Sequence, residues 1–323
     1  MPGTADAINS YREYLSGIKH IAFSSTSRGR DAEKLDAGAV VTERSWKIDF
    51  PGRRMWRTVQ TLEHPAHRSA DLQRAPTSES LLTPAAVYRV MVDPKTKTAL
   101  QCSGTTPCTP DDWATQIELG ELAYPFGYIH RGRPEYDFIP DLLEGATVAT
   151  DKSGKVTLTK ETAAYRLSVR LDPSHGWLAD RIEYTALGPA DGTPRIDSCR
   201  YIAQQVERHG DTWLPVRYEH HVTTPAYEYV SKDVRVFENG TFVAVNPDVV
   251  EEDQPGKPHV VRSPGHSGVG EVALTEISLA PLADDDFQLQ AQAPAGLDIS
   301  LEEVVRTGQV LINGKLFPNV TRR

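Results

Sequence analysis

Apolar and polar residues alternate with a period of two along most of this chain, and this alternation constrains the fold more than any other feature. Arg54-Met55-Trp56-Arg57-Thr58-Val59-Gln60 is a clear case, and Pro51-Gly52 supplies a turn just before it. A period of two places successive side chains on opposite faces of an extended strand. Such runs predict strands in the segments 20–27, 38–49, 53–61 and 85–93.

The segment 146–245 continues this pattern as a meander of strands. Turns are predicted at Ser153-Gly154, Asp191-Gly192 and Asn239-Gly240, where glycine or asparagine accepts a turn conformation. Consecutive strands joined by tight turns pair as antiparallel neighbours. The sequence therefore predicts a mainly β (α+β) protein built on an antiparallel sheet.

Helices are predicted where the period changes. Ile8, Tyr11 and Leu15 recur at steps of three and four, which places them on one face of a helix from about residue 6 to 19. Shorter helices are predicted after Pro110, at 139–143 and at 300–303.

The 323 residues are consistent with a single domain spanning 1–323. Two irregular segments interrupt the alternation, at 62–84 and at 246–270, and we expect loops there. Hydrophobic residues make up 39% of the chain, a share that suits a half-open sheet with long polar loops.

Charge and hydropathy exclude some functions. The formal net charge is −9 and no basic stripe is present, so we expect no nucleic-acid partner. No stretch approaches the roughly 18 apolar residues of a transmembrane segment. If Met1 is the native start we expect a cytoplasmic protein, because no apolar signal region follows it; if a signal peptide has been removed, we expect the periplasm or cell envelope.

Cys102 and Cys108 bracket a short segment rich in turn-forming residues. This spacing suits a local disulfide in an oxidising compartment, and it also suits two separate thiols. No cysteine or histidine pair at finger spacing accompanies them, so no metal site is predicted.

Several segments together resemble a known family. They are "FSSTSRGRD", "SWKIDFPGRRMWRTVQT", "HGWLADRIEY", "TWLPVRYE" and "DDDFQLQAQAPAGLDIS". Their order after an amphipathic helix resembles the LolA/LolB superfamily of periplasmic lipoprotein-handling proteins, especially the long LolA-like members of planctomycete-type bacteria. The best local matches are the hairpin Trp46 to Trp56 and the segment Phe287 to Gly296.

The resemblance implies a curved, antiparallel, half-open β-barrel that wraps the N-terminal helix and encloses an apolar cavity for acyl chains. It also implies a monomer that binds lipid or a lipidated protein without a cofactor. One position departs from the family: the carrier has an arginine just before the hairpin proline, tied to release of cargo, whereas this chain has Phe50. A general role in binding apolar ligands is therefore expected, rather than that of an energy-coupled shuttle.

Candidate residues for lining the cavity come from the alternating strands. They are Met55, Val59, Leu167, Val169, Ile182, Tyr184, Val216 and Tyr218. The same residues also suit an ordinary core beneath the helix, so a non-catalytic envelope scaffold with a packed interior is the alternative function.

No catalytic residue is predicted. Gly265-His266-Ser267-Gly268 lacks the second glycine of a nucleophile elbow at the required place. Glu183 and Glu219 occupy equivalent places in two similar strands, and paired carboxylates can hydrolyse glycosides. We expect each to pair instead with Arg181 or Arg217 of a neighbouring strand, which leaves a carbohydrate-active enzyme as a third hypothesis.

Overall fold

The computed structural model describes residues 3–32, 38–105, 123–130, 136–187, 196–231, 236–238, 241–243, 259–263 and 265–318. The helices there are α1 (Thr4–Gly17), α2 (Ser69–Leu72), α3 (Ile139–Leu142) and α4 (Leu301–Arg306). Within these ranges, no helix has the length and hydropathy needed to cross a bilayer. The helix predicted after Pro110 lies outside the described residues.

Strands dominate the rest of the chain. They are β1 (His20–Asp31), β2 (Val40–Asp49), β3 (Arg54–Glu63), β4 (Thr77–Leu82), β5 (Val87–Val92), β6 (Ala99–Thr105), β7 (Tyr128–His130), β8 (Tyr136–Phe138), β9 (Thr147–Thr150), β10 (Val156–Glu161), β11 (Tyr165–Asp172), β12 (Leu178–Ala186), β13 (Ser198–His209), β14 (Thr212–Thr224), β15 (Tyr227–Ser231), β16 (Val236–Glu238), β17 (Thr241–Val243), β18 (His259–Ser263), β19 (His266–Ser278), β20 (Gln309–Ile312) and β21 (Lys315–Pro318).

One sheet of 15 strands organises the molecule, in the order β21-β20-β6-β5-β4-β3-β2-β1-β19-β14-β13-β12-β11-β10-β9. Neighbouring strands run antiparallel, as between β1 and β2 and between β13 and β14. The order ends at β21 on one side and β9 on the other, so the sheet is open. The predicted fold class, an antiparallel half-open sheet around an N-terminal helix, is confirmed.

The late strand β19 joins the two halves of this sheet. It pairs with β1 along one edge and with β14 along the other. Gly270 in β19 lies opposite His220, and a Cβ at Gly270 would overlap the imidazole ring. Glycine is therefore required where the ring of His220 lies over the neighbouring strand.

The main core lies between the sheet and α1. Ala7, Ile8, Tyr11 and Leu15 are buried on one face of the helix, and this face belongs to one apolar cluster with the strands beneath it. We call this side of the sheet the inner face. Complete burial of one large apolar side chain contributes about 1.5–3 kcal/mol, so the helix is held mainly by packing rather than by helix propensity.

The C-terminal segment covers part of the outer face. Leu301, Val304 and Val305 of α4 pack with residues of β5 and β6. Phe287 packs against Trp56 and Leu81 of neighbouring strands.

Both predicted loops are shorter than expected. In the segment 62–84, β3 continues to Glu63 and β4 begins at Thr77. The polar sequence Thr-Ser-Glu-Ser does not predict a strand. It forms one because Glu79 is buried and its carboxylate is hydrogen-bonded. In the segment 246–270, residues 259–263 form β18 and β19 begins at His266. That the chain is a single domain stays a prediction.

Candidate functional site: an aromatic pocket at the end of α1

A solvent-open pocket lies at the C-terminal end of α1. Its volume is about 260 Å³, and its lining residues are Leu15, Ser16, Ile18, Lys19, Phe50, Pro51, Phe126, Tyr128 and Phe138. Pockets that bind small molecules generally measure about 300–1,000 Å³ and are lined mainly by apolar and aromatic side chains. The pocket has this lining and a size just below that range.

Backbone hydrogen bonds fix the tip of the β2–β3 hairpin to the end of the helix. After α1 ends, Lys19 O accepts a hydrogen bond of 3.0 Å from Phe50 N. The side chain of Asp49 accepts a hydrogen bond of 2.9 Å from Gly52 N. It also forms an ion pair with Arg54, whose Nη2 lies 2.6 Å from Asp49 Oδ2. Burial opposes ionisation of Asp49, but these two partners outweigh it and lower its pKa.

The opposite wall comes from the turn Tyr124–Phe126 and the β7–β8 hairpin. Gly127 has a φ of +78°, and a Cβ there would overlap Leu15 Cδ1. Glycine thus permits both the left-handed turn and its close approach to α1. The rings of Tyr128 and Phe138 lie with their centroids 5.4 Å apart.

A series of aromatic contacts leads from the pocket toward the inner face. Phe126, only 4% exposed, lies 5.6 Å from Phe50 and 6.3 Å from Phe23 between ring centroids. Phe23 stacks on Trp46 at 6.1 Å. The guanidinium of Arg57 lies 5.2 Å from the centroid of Trp46. Phe126 therefore forms the floor that separates the pocket from the core.

The residues predicted to line a cavity lie elsewhere. Those in the main core with α1 are Met55, Leu167, Val169, Ile182, Tyr184 and Tyr218. Val216 is buried outside that cluster and Val59 is half-buried. None of these residues lines the 260 Å³ pocket, and contact between them and a ligand stays a prediction.

The pocket has a sequence signal that the alternation did not reveal. Phe126, Tyr128 and Phe138 belong to a segment dense in aromatic residues, with Tyr-Pro-Phe-Gly-Tyr at 124–128 and Tyr-Asp-Phe at 136–138. Phe50 lies immediately before the hairpin proline in the sequence. Its proximity to Phe126 depends on tertiary structure, which periodicity does not encode.

Cys102 is buried and forms no disulfide with the other described cysteine, Cys199. Its Sγ lies 3.7 Å from Leu301 O, and burial raises its pKa to about 12. A thiol of that pKa is protonated and unreactive at neutral pH. Cys108 lies outside the described residues, and the disulfide stays a prediction.

Glu183 pairs with one of the expected arginines, although along its own strand, and Glu219 has partners other than the expected arginines. Glu183 forms an ion pair with Arg181, with 2.7 Å between Glu183 Oε1 and Arg181 Nη2. Glu219 contacts His221 and accepts a hydrogen bond of 3.3 Å from Gln204 Nε2. The ionic partners lie two residues away on the same strand, where side chains share a face, rather than across to Arg217. This arrangement is that of solvated strand side chains.

Comparison of the sequence with family models gives no match, and comparison with curated proteins gives none either. Among solved structures, the chain is similar to a DUF1329 family protein from Desulfovibrio piger, with 8% identity, 90% of this chain and 100% of that chain covered, and a TM-score of 0.37. It is similar to a putative outer membrane lipoprotein-sorting protein domain from Vibrio parahaemolyticus, with 9% identity, 88% and 97% covered, and a TM-score of 0.42.

A third similar structure is a LolA superfamily protein from Nitrosomonas europaea, with 9% identity, 89% of this chain and 98% of that chain covered, and a TM-score of 0.39. The second and third structures are named for lipoprotein sorting or for LolA, the group that the sequence motifs resemble. At these TM-scores the likeness is partial.

Proposed function

We propose that this protein binds an acyl chain, of a lipid or of a lipidated protein, in the pocket at the end of α1 without catalysing a reaction. The main support for this proposal is the apolar lining of the pocket. A cavity of about 260 Å³ that opens to solvent is lined by apolar side chains that include Leu15, Ile18, Phe50, Phe126 and Phe138. An apolar concave site that remains open to solvent on a folded protein favours a ligand with an apolar part.

The expected strength of the interaction follows from the number of methylene groups that the pocket removes from water. Each methylene removed from water contributes about 0.8 kcal/mol, so roughly six methylenes contribute about 5 kcal/mol. A dissociation constant of 1 mM already requires about 4 kcal/mol. Binding of the acyl tail alone is therefore weak, and contacts to the rest of the ligand decide the affinity.

The setting we propose is the periplasm or cell envelope, where lipids and lipidated proteins occur, with the protein acting as a monomer. The LolA-like motifs support this setting. The net charge of −9 supports a partner other than nucleic acid.

The same fold with no ligand, an envelope scaffold, is the second candidate. The observation in its favour is the packed inner face, where side chains such as Leu167, Val169 and Ile182 are 0% exposed. Because the pocket lies outside this packed region, the two candidates differ in whether the pocket is occupied.

Native mass spectrometry after incubation with a mixture of lipids, beside a delipidated sample, tests the proposal. We expect near one-to-one retention of acyl lipid, and loss of retention in Phe138→Gln. The matched control is Leu187→Gln, which changes an apolar side chain that is 44% exposed and lies outside the pocket. An apo mass under both conditions would favour the scaffold, and equal retention by both variants would place lipid elsewhere.

A further inference from the structure

Two cationic side chains lie at the mouth of the pocket. Lys19 lines it, and Arg53 lies close enough to the lining residue Tyr128 that its charge opposes the rise in the pKa of Tyr128 that burial causes. Both side chains are exposed. They flank Phe50 through the backbone: Phe50 N donates to Lys19 O at 3.0 Å, and Arg53 N donates to Phe50 O at 3.3 Å. Within the described residues, neither side chain forms an ion pair.

Four acidic residues of the neighbouring elements share two arginines as cationic partners. Asp141 and Glu144 pair with Arg12 at 2.7 and 3.3 Å. Asp49 and Asp284 pair with Arg54, each at 2.6 Å. Lys19 and Arg53 are therefore the cations beside the pocket that these carboxylates leave without an ion pair, in a chain whose net charge is −9.

The backbone at Arg53 adds an independent observation. Its φ is +51°, in the left-handed region where glycine or asparagine is favoured. A non-glycine residue there costs on the order of 1 kcal/mol or more. Strain of this kind accumulates at functional sites, and here it presents a guanidinium beside an apolar cavity.

We propose that the ligand is an anionic amphiphile, with its tail against Phe50, Phe126 and Phe138 and its carboxylate or phosphate head beside Lys19 and Arg53. This inference rests on the proposed function and adds the chemical class of the head group. An anionic head gains charge-assisted hydrogen bonds from both cations, and these supplement the weak binding of the tail. A neutral head of the same chain length gains neither.

Binding of decanoate, decyl phosphate and 1-decanol, measured by equilibrium dialysis on the full chain, tests the head group. We expect both anions to bind at least about tenfold more tightly than the alcohol, a difference of about 1.4 kcal/mol. In the combined variant Lys19→Gln and Arg53→Gln, this preference should be lost, so that the anions and the alcohol bind with similar affinity. A preference for decyl phosphate over decanoate would indicate a phosphate head rather than a carboxylate.

The control variant is Lys152→Gln combined with Lys315→Gln, which changes the net charge equally at exposed positions away from the pocket. Arg53→Gly serves as a second test variant. It removes one of the two cations, and glycine adopts the positive φ of this position without strain. Equal binding of the alcohol and the anions by the wild type would overturn the inference while leaving the proposed function intact. If none of the three compounds bound, the proposed function would fail and the inference with it.

Discussion

At the scale of single residues, Glu79 illustrates how a buried charge is accommodated. It is 2% exposed, and its carboxylate accepts hydrogen bonds from Trp56 Nε1 at 2.7 Å, Gln290 N at 2.7 Å and Ala291 N at 2.9 Å. It thereby holds the segment after Phe287 against the outer face of the sheet. A buried carboxylate with three donors is stable, whereas the donors alone are costly to bury.

We therefore predict that Glu79→Ala lowers the free energy of unfolding by about 3 kcal/mol, because the buried indole N–H of Trp56 and two partly buried backbone N–H groups lose their acceptor. Denaturant titration followed by tryptophan fluorescence measures this change. Glu207→Ala, at an exposed position of β13, is the control and should change it by less than about 0.5 kcal/mol. Similar effects of the two substitutions would refute the assigned role of Glu79.

Two tyrosines of α1 make a matched pair for the cost of burying a hydroxyl. Tyr11 is 0% exposed, and its hydroxyl has no hydrogen-bond partner among the described residues. Tyr14 donates a hydrogen bond of 2.8 Å to Trp213 O. We predict that Tyr11→Phe leaves stability unchanged or raises it by about 1 kcal/mol, while Tyr14→Phe lowers it by about 1 kcal/mol. Thermal unfolding of both variants checks this, and the reverse order would contradict it.

Asp172 should make stability depend on acid pH. Burial alone would raise its pKa, but hydrogen bonds from Ser174, Lys155 and His175 outweigh it and hold the pKa at about 2, below the ordinary 3.8. The folded protein therefore binds this proton less readily than the unfolded chain. The resulting stability is fully present above about pH 3.8 and is lost as the pH falls toward 2.

Asp172→Asn should remove this contribution, on the order of 2 kcal/mol at neutral pH. Denaturant titrations from pH 2 to 7 measure it. We expect the wild type to exceed the variant at pH 7 and the difference to shrink below pH 4. A constant difference across this range would show that the carboxylate is not the cause.

At the scale of elements, Gly127 connects the pocket wall to α1. Gly127→Ala introduces both an unfavourable positive φ and a clash with Leu15, whereas Gly154→Ala, with a φ of +84°, meets no neighbouring atom. We predict that Gly127→Ala destabilises by about 1 kcal/mol more than Gly154→Ala and weakens retention of acyl lipid. Unfolding and native mass spectrometry of both variants measure this, and equal effects would exclude the contact with Leu15.

Elements with a strong local pattern could be predicted from the sequence. The helix with Ile8, Tyr11 and Leu15 and the hairpin around Pro51-Gly52 both form close to the predicted bounds. The strand β4 was missed because its residues are polar, and its burial depends on contacts with Gln290 and Ala291, which lie far along the chain. Local pattern cannot reveal a partner of that kind.

At the scale of the whole molecule, the position of β19 could not be predicted. It lies between β1 and β14, although one neighbour is close to the N-terminus and the other in the meander. Period-two alternation identifies a strand but not its partner, because every strand with one apolar face carries the same signal. The same limit applies to the pocket, whose walls come from α1, the β2–β3 turn and the segments 124–128 and 136–138.

The central claim, that an acyl chain occupies the pocket at the end of α1, is tested most directly by photo-crosslinking. Decanoate carrying a diazirine near its methyl end would be irradiated with the protein, and the labelled residues mapped by peptide mass spectrometry. We predict labels at Leu15, Phe50, Phe126 and Phe138, with competition by unlabelled decanoate. Labels confined to residues outside the pocket, or labels that unlabelled decanoate does not displace, would contradict the claim.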